Sequence, residues 1–289
     1  MRLTLRASAK INLDLRIGSR RPDGYHDLQT IFQMLDLHDT VAVQSSRAAF
    51  ALDGDPALMP LDPTNLVWRA AAALWRASGK AGDPRGARVR VTKRIPARAG
   101  LGGGSSDAAA ALVGLSQVWR LPTTLRALLP VAAIVGSDVP FFLVGGTALG
   151  LGRGEVLYPL VNVPRRHVVL VLPDFGVSTA DAYRWLAQER TSDSGIGDAG
   201  LWPLDPANSR NDLEAVVQAR HPAIAAIRRQ LSGAGAELAR MSGSGSAIFG
   251  LFSTERTARR AAARLARDGH RVVLTRTRPR SRVESRRLA

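Results

Sequence analysis

Three features of the 289-residue sequence have the residue types that phosphate chemistry uses: a glycine and serine stretch, an isolated lysine and a loop aspartate. The stretch Pro96-Ala-Arg-Ala-Gly-Leu-Gly-Gly-Gly-Ser-Ser106 follows the alternating Val89-Arg-Val-Thr and runs into alanines, so it joins a strand to a helix. Helix N-termini present unpaired N–H groups at the positive end of the dipole, and glycines let that backbone wrap an anion. Two familiar signatures are excluded. A P-loop needs Gly-Lys-Ser/Thr, but Ser105 and Ser106 follow Gly104, and the dinucleotide pattern needs glycine at 105. A flexible turn beneath a tightly packed alanine helix is the other reading of the glycines. Adjacent hydroxyls, which a turn does not need, favour phosphate or Mg²⁺.

Without a lysine in that loop, phosphoryl transfer needs charge stabilisation and a proton acceptor from elsewhere. Lys10, in Ala7-Ser-Ala-Lys-Ile-Asn-Leu13, interrupts an apolar strand-like run in a chain with only three lysines, Lys10, Lys80 and Lys93. A compact ammonium can approach a carboxylate and a reacting hydroxyl together, although taken alone such a lysine is more often one that snorkels to the surface. Asp138, in Val135-Gly-Ser-Asp-Val-Pro-Phe-Phe142, is either a turn aspartate bonded to its own backbone or a general base facing a cleft. The late cluster Met241-Ser-Gly-Ser-Gly-Ser246 is either a hairpin turn or a loop facing phosphate or substrate. Gly145-Gly146 and Gly150-Leu-Gly-Arg-Gly154 read as turns and close backbone packing. In Arg20-Arg-Pro-Asp-Gly-Tyr-His-Asp-Leu28 the turn needs neither Tyr25 nor His26. Their ring and imidazole suit a nucleobase, while Tyr25 capping the core is the alternative.

Composition bounds the rest. An apolar content of 45% supports a sizeable core, and no apolar run nears the roughly 20 residues that span a bilayer. The N-terminus lacks the apolar centre of a secretory signal, so a cytoplasmic protein is expected. Zero cysteines exclude disulfides, thiolate catalysis and Cys-ligated zinc, and five scattered histidines lack metal-ligand spacing. A metal, if used, is a hard cation held by oxygens. The net charge of +16 suggests nucleic acid, but the arginines are spread through nearly every segment, with no RNP-like aromatic strand. No nucleic-acid partner is expected. The run Arg276-Thr-Arg-Pro-Arg-Ser-Arg-Val-Glu-Ser-Arg-Arg287 reads as a solvated, disordered end.

The elements that must position these residues follow from periodicity. Strands are expected over 3–17, 31–43, 89–92, 141–149, 167–172, 237–241, 247–252 and 271–275. Helices are expected over 66–77 capped by Asn65, from Ser105 or Ser106 to Trp119, and from Thr123 or Thr124 to Gly136. Others are expected from Ser178 or Thr179 to about Arg190, then over 212–219, 222–231 and 254–267, with a loop over 191–209. Val161-Asn-Val-Pro-Arg-Arg marks a domain joint, giving domains 1–162 and 163–278 and a tail 279–289. The mixture predicts α+β packing against largely antiparallel sheets.

Taken together, Ala9-Lys-Ile-Asn12, Pro96 to Ala109 and Met241 to Ser246, in that order, resemble the GHMP kinase superfamily of small-molecule kinases. Arg-Arg-Pro-Asp-Gly-Tyr-His, Gly-Ser-Asp-Val-Pro-Phe-Phe and Asn211-Asp-Leu-Glu214 narrow the resemblance to its branch acting on cytidine-diphospho-methylerythritol. The resemblance runs from about Leu3 to Phe252. It implies ATP-dependent phosphorylation of that acceptor's 2-hydroxyl, in the non-mevalonate route to isoprenoid precursors. A monomer or homodimer is expected. It also implies an N-terminal domain like ribosomal protein S5 domain 2 and a C-terminal ferredoxin-like α/β plait. Lys10 and Asp138 match the catalytic pair, with Asp138 as base. Pro96, Ala97, Arg98, Ala99, Gly100, Leu101, Gly102, Gly103, Gly104, Ser105 and Ser106 match the ATP loop, with Ser106 toward Mg²⁺. Asn12, Tyr25 and His26 match acceptor binding, and Thr179 with Tyr183, four apart on one helical face, would close the other side of the base. Two residues depart from the pattern: Arg98 stands where a small residue is usual, and Ser8 where proline is usual.

Overall fold

A computed structural model describes residues 1–189 and 208–280, so the expected loop after 190 and nearly all of the basic tail lie outside the described residues. Two long antiparallel strands, β1 (Arg2–Arg20) and β2 (His26–Ala49), form the spine of the N-terminal half. On its other edge β2 carries β4 (Arg85–Thr92) along one half and β5 (Thr147–Leu151) along the other. The short β3 (Ala51–Asp53) runs parallel to β4, and β6 (Val156–Pro159) pairs with β5. Helices α1 (Leu66–Ala77), α2 (Gly103–Val118), α3 (Leu125–Val135) and α4 (Val139–Val144) share a core with this sheet. The C-terminal half is a four-stranded antiparallel sheet in the order β10 (Arg271–Arg276), β7 (His167–Leu172), β9 (Ile248–Phe252), β8 (Leu238–Met241). Its helices are α5 (Thr179–Glu189), α6 (Glu214–Arg220), α7 (Pro222–Gly233) and α8 (Glu255–Arg267). This is the α/β plait expected, joined to an α+β N-terminal lobe.

Most expected elements appear. Asn65 caps α1 by accepting from Val67 N–H, and Thr254 caps α8 through Thr257 N–H. The expected strand over 141–149 is instead α4, a Gly145-Gly146 break and β5. All six residues of α4 are buried, so no face alternates to distinguish helix from strand, while Pro140 sits in the first turn where its missing N–H costs nothing. Helix α2 starts at Gly103, before the serines, with left-handed Gly102 as its N-cap. The helix expected from Asp212 begins at Glu214. The short strands β3 and β6 carry too few residues for a period to register.

Strand β1 has two buried faces. Ala9, Ile11 and Leu13 join Ile31, Leu35, Val168, Leu170 and Phe249 in a core shared by the two sheets. The alternate residues Ser8, Lys10, Asn12 and Asp14 are also buried, so the opposite face of the strand is polar and enclosed. Register shifts between Ser8 and Lys10 and between Asn12 and Asp14 interrupt the pairing around these residues.

A buried charge cluster braces the start of the glycine stretch. Asp39 on β2, fully buried, accepts from Lys93 Nζ, Arg94 N–H and Ile95 N–H, and Lys93 Nζ also lies 2.7 Å from Asp107 on α2. One ammonium therefore serves two carboxylates. Burial and the neighbouring Asp39 push the Asp107 carboxyl up to about 7 against the pull of Lys93. Because the folded chain holds this proton more tightly than the unfolded chain, Asp107 lowers stability as pH rises from about 4 to about 7. Thermal melts without nucleotide or Mg²⁺ should show the stability of Asp107→Asn rising relative to wild type across that range. Asp39→Ala, which leaves Lys93 with Asp107 as its carboxylate partner but strips the Arg94 and Ile95 N–H groups of their acceptor, should cost about 1–3 kcal/mol. A pH-independent offset for Asp107→Asn would contradict the shared-ammonium account.

Candidate active site

Lys10 is 4% exposed, which rules out the snorkelling surface lysine. Its Nζ donates to Asn12 Oδ1 at 2.7 Å and lies 3.5 Å from Asp138 Oδ2 and 5.6 Å from the centre of the Phe32 ring. Asn12 is held in turn, its Nδ2 donating to Thr30 Oγ1 at 2.8 Å, and that hydroxyl donates to Asp14 C=O at 2.7 Å. Both polar ends of the Asn12 amide are thus engaged, and they aim its oxygen at Lys10. Asp138 opens α4 but makes no side-chain capping bond, and its side chain is 32% exposed toward the cleft. The turn-aspartate reading, with the carboxylate bonded to its own backbone, does not describe it.

The two glycine clusters, 142 residues apart at the Gly100–Ser242 contact, pack on each other. Gly100 has φ +72, and a Cβ there would stand 2.0 Å from Ser242 C=O. Ser242 Oγ donates to Gly100 C=O at 3.0 Å, and Ala247 N–H donates to Ala99 C=O at 3.2 Å. On the other side Lys10 N–H donates to Leu101 C=O at 3.0 Å, and a Cβ on Gly102 would meet the Phe142 ring at 2.7 Å. Gly100 and Gly102 are therefore glycines because protein presses on them. Gly103 and Gly104 begin α2, and their N–H groups remain where an anion could lie at the helix start. Asn211 fastens the second cluster, Nδ2 donating to Met241 C=O at 2.9 Å and to Gly243 C=O at 2.8 Å.

Residues 96 to 105 line a cleft of about 1590 Å³ between the lobes, together with Lys10, Asn12, Asp138 and Gly243 to Gly245. Arg98 lines it with a left-handed backbone, φ 53, facing Gly176. Ser105 reaches the cleft, whereas Ser106 is 2% exposed and does not line it. At the cleft's other end His26 and Tyr183 bring their rings within 5.3 Å, tilted by 30°. Burial, with a smaller contribution from the Asp138 carboxylate, pushes the Tyr183 hydroxyl up to about 12, so it is neutral there. Tyr25, 54% exposed, does not cap a core: the Arg153 guanidinium lies 4.9 Å above its ring, and both line the cleft. Thr179 Oγ1 meets Ser244 Oγ at 3.0 Å, tying α5 to the second glycine loop.

Lys93, Asp39 and Asp107 escaped the sequence reading. Their signal was the scarcity of lysine, which picked out Lys10 and applied equally to Lys93. Among the described residues no group of three His, Cys, Asp or Glu could hold a metal, and no helix is long and apolar enough to cross a membrane.

Family models for the GHMP kinases N terminal domain and the GHMP kinases C terminal match residues 65–146 and 203–271. A 4-diphosphocytidyl-2-C-methyl-D-erythritol kinase of Moorella thermoacetica is 44% identical over 95% of this chain and 99% of its own length. One from Pelotomaculum thermopropionicum is 41% identical over 96% and 98%. A crystal structure of a 4-(cytidine 5'-diphospho)-2C-methyl-D-erythritol kinase superposes with TM-score 0.78 at 35% identity, covering 95% of this chain and 99% of that one. The Methanococcus jannaschii mevalonate kinase, at 13% identity and TM-score 0.70 over 96% and 99%, shares the fold. With full-length relatives at this identity, the chain belongs to the 4-diphosphocytidyl-2-C-methyl-D-erythritol kinase family of the GHMP kinases and is an ATP-dependent kinase.

Proposed function

We propose that this kinase transfers the γ-phosphoryl group of ATP to the 2-hydroxyl of 4-diphosphocytidyl-2-C-methyl-D-erythritol, with Asp138 accepting the hydroxyl proton. The observation that carries the reading is the approach of Lys10 Nζ to Asp138 Oδ2, 3.5 Å, at the wall of the cleft beside the start of α2. The ammonium pairs with the Asp138 carboxylate and stabilises negative charge developing on the acceptor oxygen. Asn12 keeps the ammonium at that spot, since its amide is fixed from behind by Thr30. The N–H groups of Gly103 and Gly104 and the helix dipole hold phosphate oxygens, so no loop lysine is needed. The apolar wall of Met59, Leu66 and Ile95 next to that loop suits the adenine ring.

Mg²⁺ fits the donor set. It takes few protein ligands and completes its shell with phosphate and water, and hard oxygens are what the loop offers. Ser105 reaches the cleft and is the better-placed hydroxyl; Ser106 sits behind it. Bound with the phosphates, the ion would neutralise charge on them during transfer.

Base recognition assigns Tyr25 and Tyr183 to the faces of cytosine and His26 to its edge, with Thr179 closing the loop beside them. That arrangement separates this acceptor from homoserine or mevalonate, which have no ring to stack. The reaction places the enzyme in the non-mevalonate route to isoprenoid precursors, and we assign it to the cytoplasm with small-molecule partners only, as a monomer or homodimer.

ADP release should appear with the cytidylated methylerythritol and not with homoserine or mevalonate; the reverse pattern would overturn the proposal. Asp138→Asn should lower turnover by about two or more decades while ATP affinity stays close to wild type, measured by kinetics and nucleotide titration. Near-normal turnover in that variant removes Asp138 as base. Tyr183→Ala should raise the acceptor KM about tenfold and leave the ATP KM within about twofold, and an equal rise in both would remove the stacking role.

A further inference from the structure

Beyond β10 the described chain does not end on its own lobe. Thr277 bridges to Leu35, and Arg278 N–H donates to Met34 C=O at 2.8 Å, where Met34 is the strand partner of Lys10. Arg278 C=O accepts from Gln33 Nε2 at 3.0 Å, and its guanidinium Nη1 donates to Ser8 Oγ at 2.7 Å, two residues before Lys10. Arg280 then reaches the far end of α4. Its Nε donates to Val144 C=O at 3.1 Å, and its Nη2 to Gly145 C=O at 3.1 Å and Thr147 C=O at 2.8 Å. Its backbone N–H donates to Asn162 Oδ1 at 2.9 Å.

The seat for this side chain is built by sequence. A Cβ on Gly146 would stand 2.8 Å from Arg280 N and Cβ and 2.5 Å from Asn162 Oδ1, so only glycine leaves room. Ser8, the departure from proline, supplies the hydroxyl that Arg278 uses. Helix α4 has six residues, about 9 Å of helix, and Asp138 stands at its start. So short a helix cannot hold its own direction by internal hydrogen bonds, and its last carbonyls need donors. Arg280 provides charge-assisted donors at the negative end of its dipole.

We propose that Arg278 and Arg280 form a strap from the C-terminal lobe that sets the Lys10–Asp138 geometry, Arg278 through β1 and Arg280 through α4. They are positioning residues: neither is among the residues lining the cleft. The inference rests on Asp138 and Lys10 being the reacting pair.

The test compares full-length Arg280→Ala, Arg280→Lys, Ser8→Ala, Asp138→Asn and the Asp138→Asn/Arg280→Ala double variant by kcat, both KM values and thermal melting. Arg280→Ala should lower kcat about 10- to 100-fold with both KM values within about twofold of wild type, since misplacement of the pair by about 1 Å has that effect. Arg280→Lys keeps the charge but not the planar fork and should recover only part of the loss. In the double variant the loss should not exceed that of Asp138→Asn alone, because the strap acts through that carboxylate. If Arg280→Ala does not fold, the kcat of Arg280→Lys and Ser8→Ala decides, with a severalfold fall expected in each. Folded strap variants with lowered melting temperature but wild-type kcat, beside an inactive Asp138→Asn, would overturn the strap alone. Normal turnover in Asp138→Asn would overturn the catalytic pair and the strap with it.

Discussion

A positively charged ammonium held almost out of water is the constraint around which the rest is arranged. Burying Lys10 is unfavourable unless charge and hydrogen bonds offset the lost hydration, and here Asn12, Asp138 and the Phe32 ring do so together. Such an arrangement needs a strand whose two faces are both enclosed. β1 meets the requirement by alternation: Ala9, Ile11 and Leu13 face the core shared by the two sheets, and Ser8, Lys10 and Asn12 turn toward the polar side. Pulling the lobes apart would expose the apolar face and uncover the ammonium at once. The site and the lobe interface are therefore one structure.

The same constraint changes the meaning of the glycines. The stretch from Gly100 to Gly104 has the composition of an anion cradle, yet its first two glycines are required by protein atoms: the Ser242 carbonyl presses on Gly100, and Phe142 and Lys10 on Gly102. Backbone from two lobes and Lys10 meet within one turn of chain. The N–H groups at the start of α2 are what the loop leaves for phosphate, and in the proposed reaction the charge stabilisation comes from Lys10, far away in sequence. Asn211 and Glu214, from a short motif with no chemistry of its own, brace the second loop by bonding Met241 and Gly243.

What could be read in advance follows from which signals are local. The strand alternation of β1, the Asn65 and Thr254 caps and the glycine after α3 are written in neighbouring residues, and those elements appear as expected. The fully buried α4 reads as strand in the sequence because a segment with no exposed face carries no period. The type and order of the motif residues brought Lys10, Asp138, His26 and Tyr183 into view, and the fold brings them to one cleft. The Lys93 cluster and the arginine strap stayed hidden for a different reason. The Lys93–Asp39 contact joins residues 54 apart and the Arg280–Val144 contact residues 136 apart, and in a chain of +16 charge one more arginine carries no local signal.

In the proposed reaction the acceptor hydroxyl lies against Asp138, with Lys10 beside both and the triphosphate at the start of α2. A structure of the ternary complex with a non-hydrolysable ATP analogue and the cytidylated acceptor measures this directly. The acceptor's 2-hydroxyl should lie within about 3.2 Å of an Asp138 carboxylate oxygen and roughly in line with the γ-phosphate at Gly103 and Gly104. An acceptor bound with that hydroxyl against another side chain, and Asp138 still facing only Lys10, would contradict it.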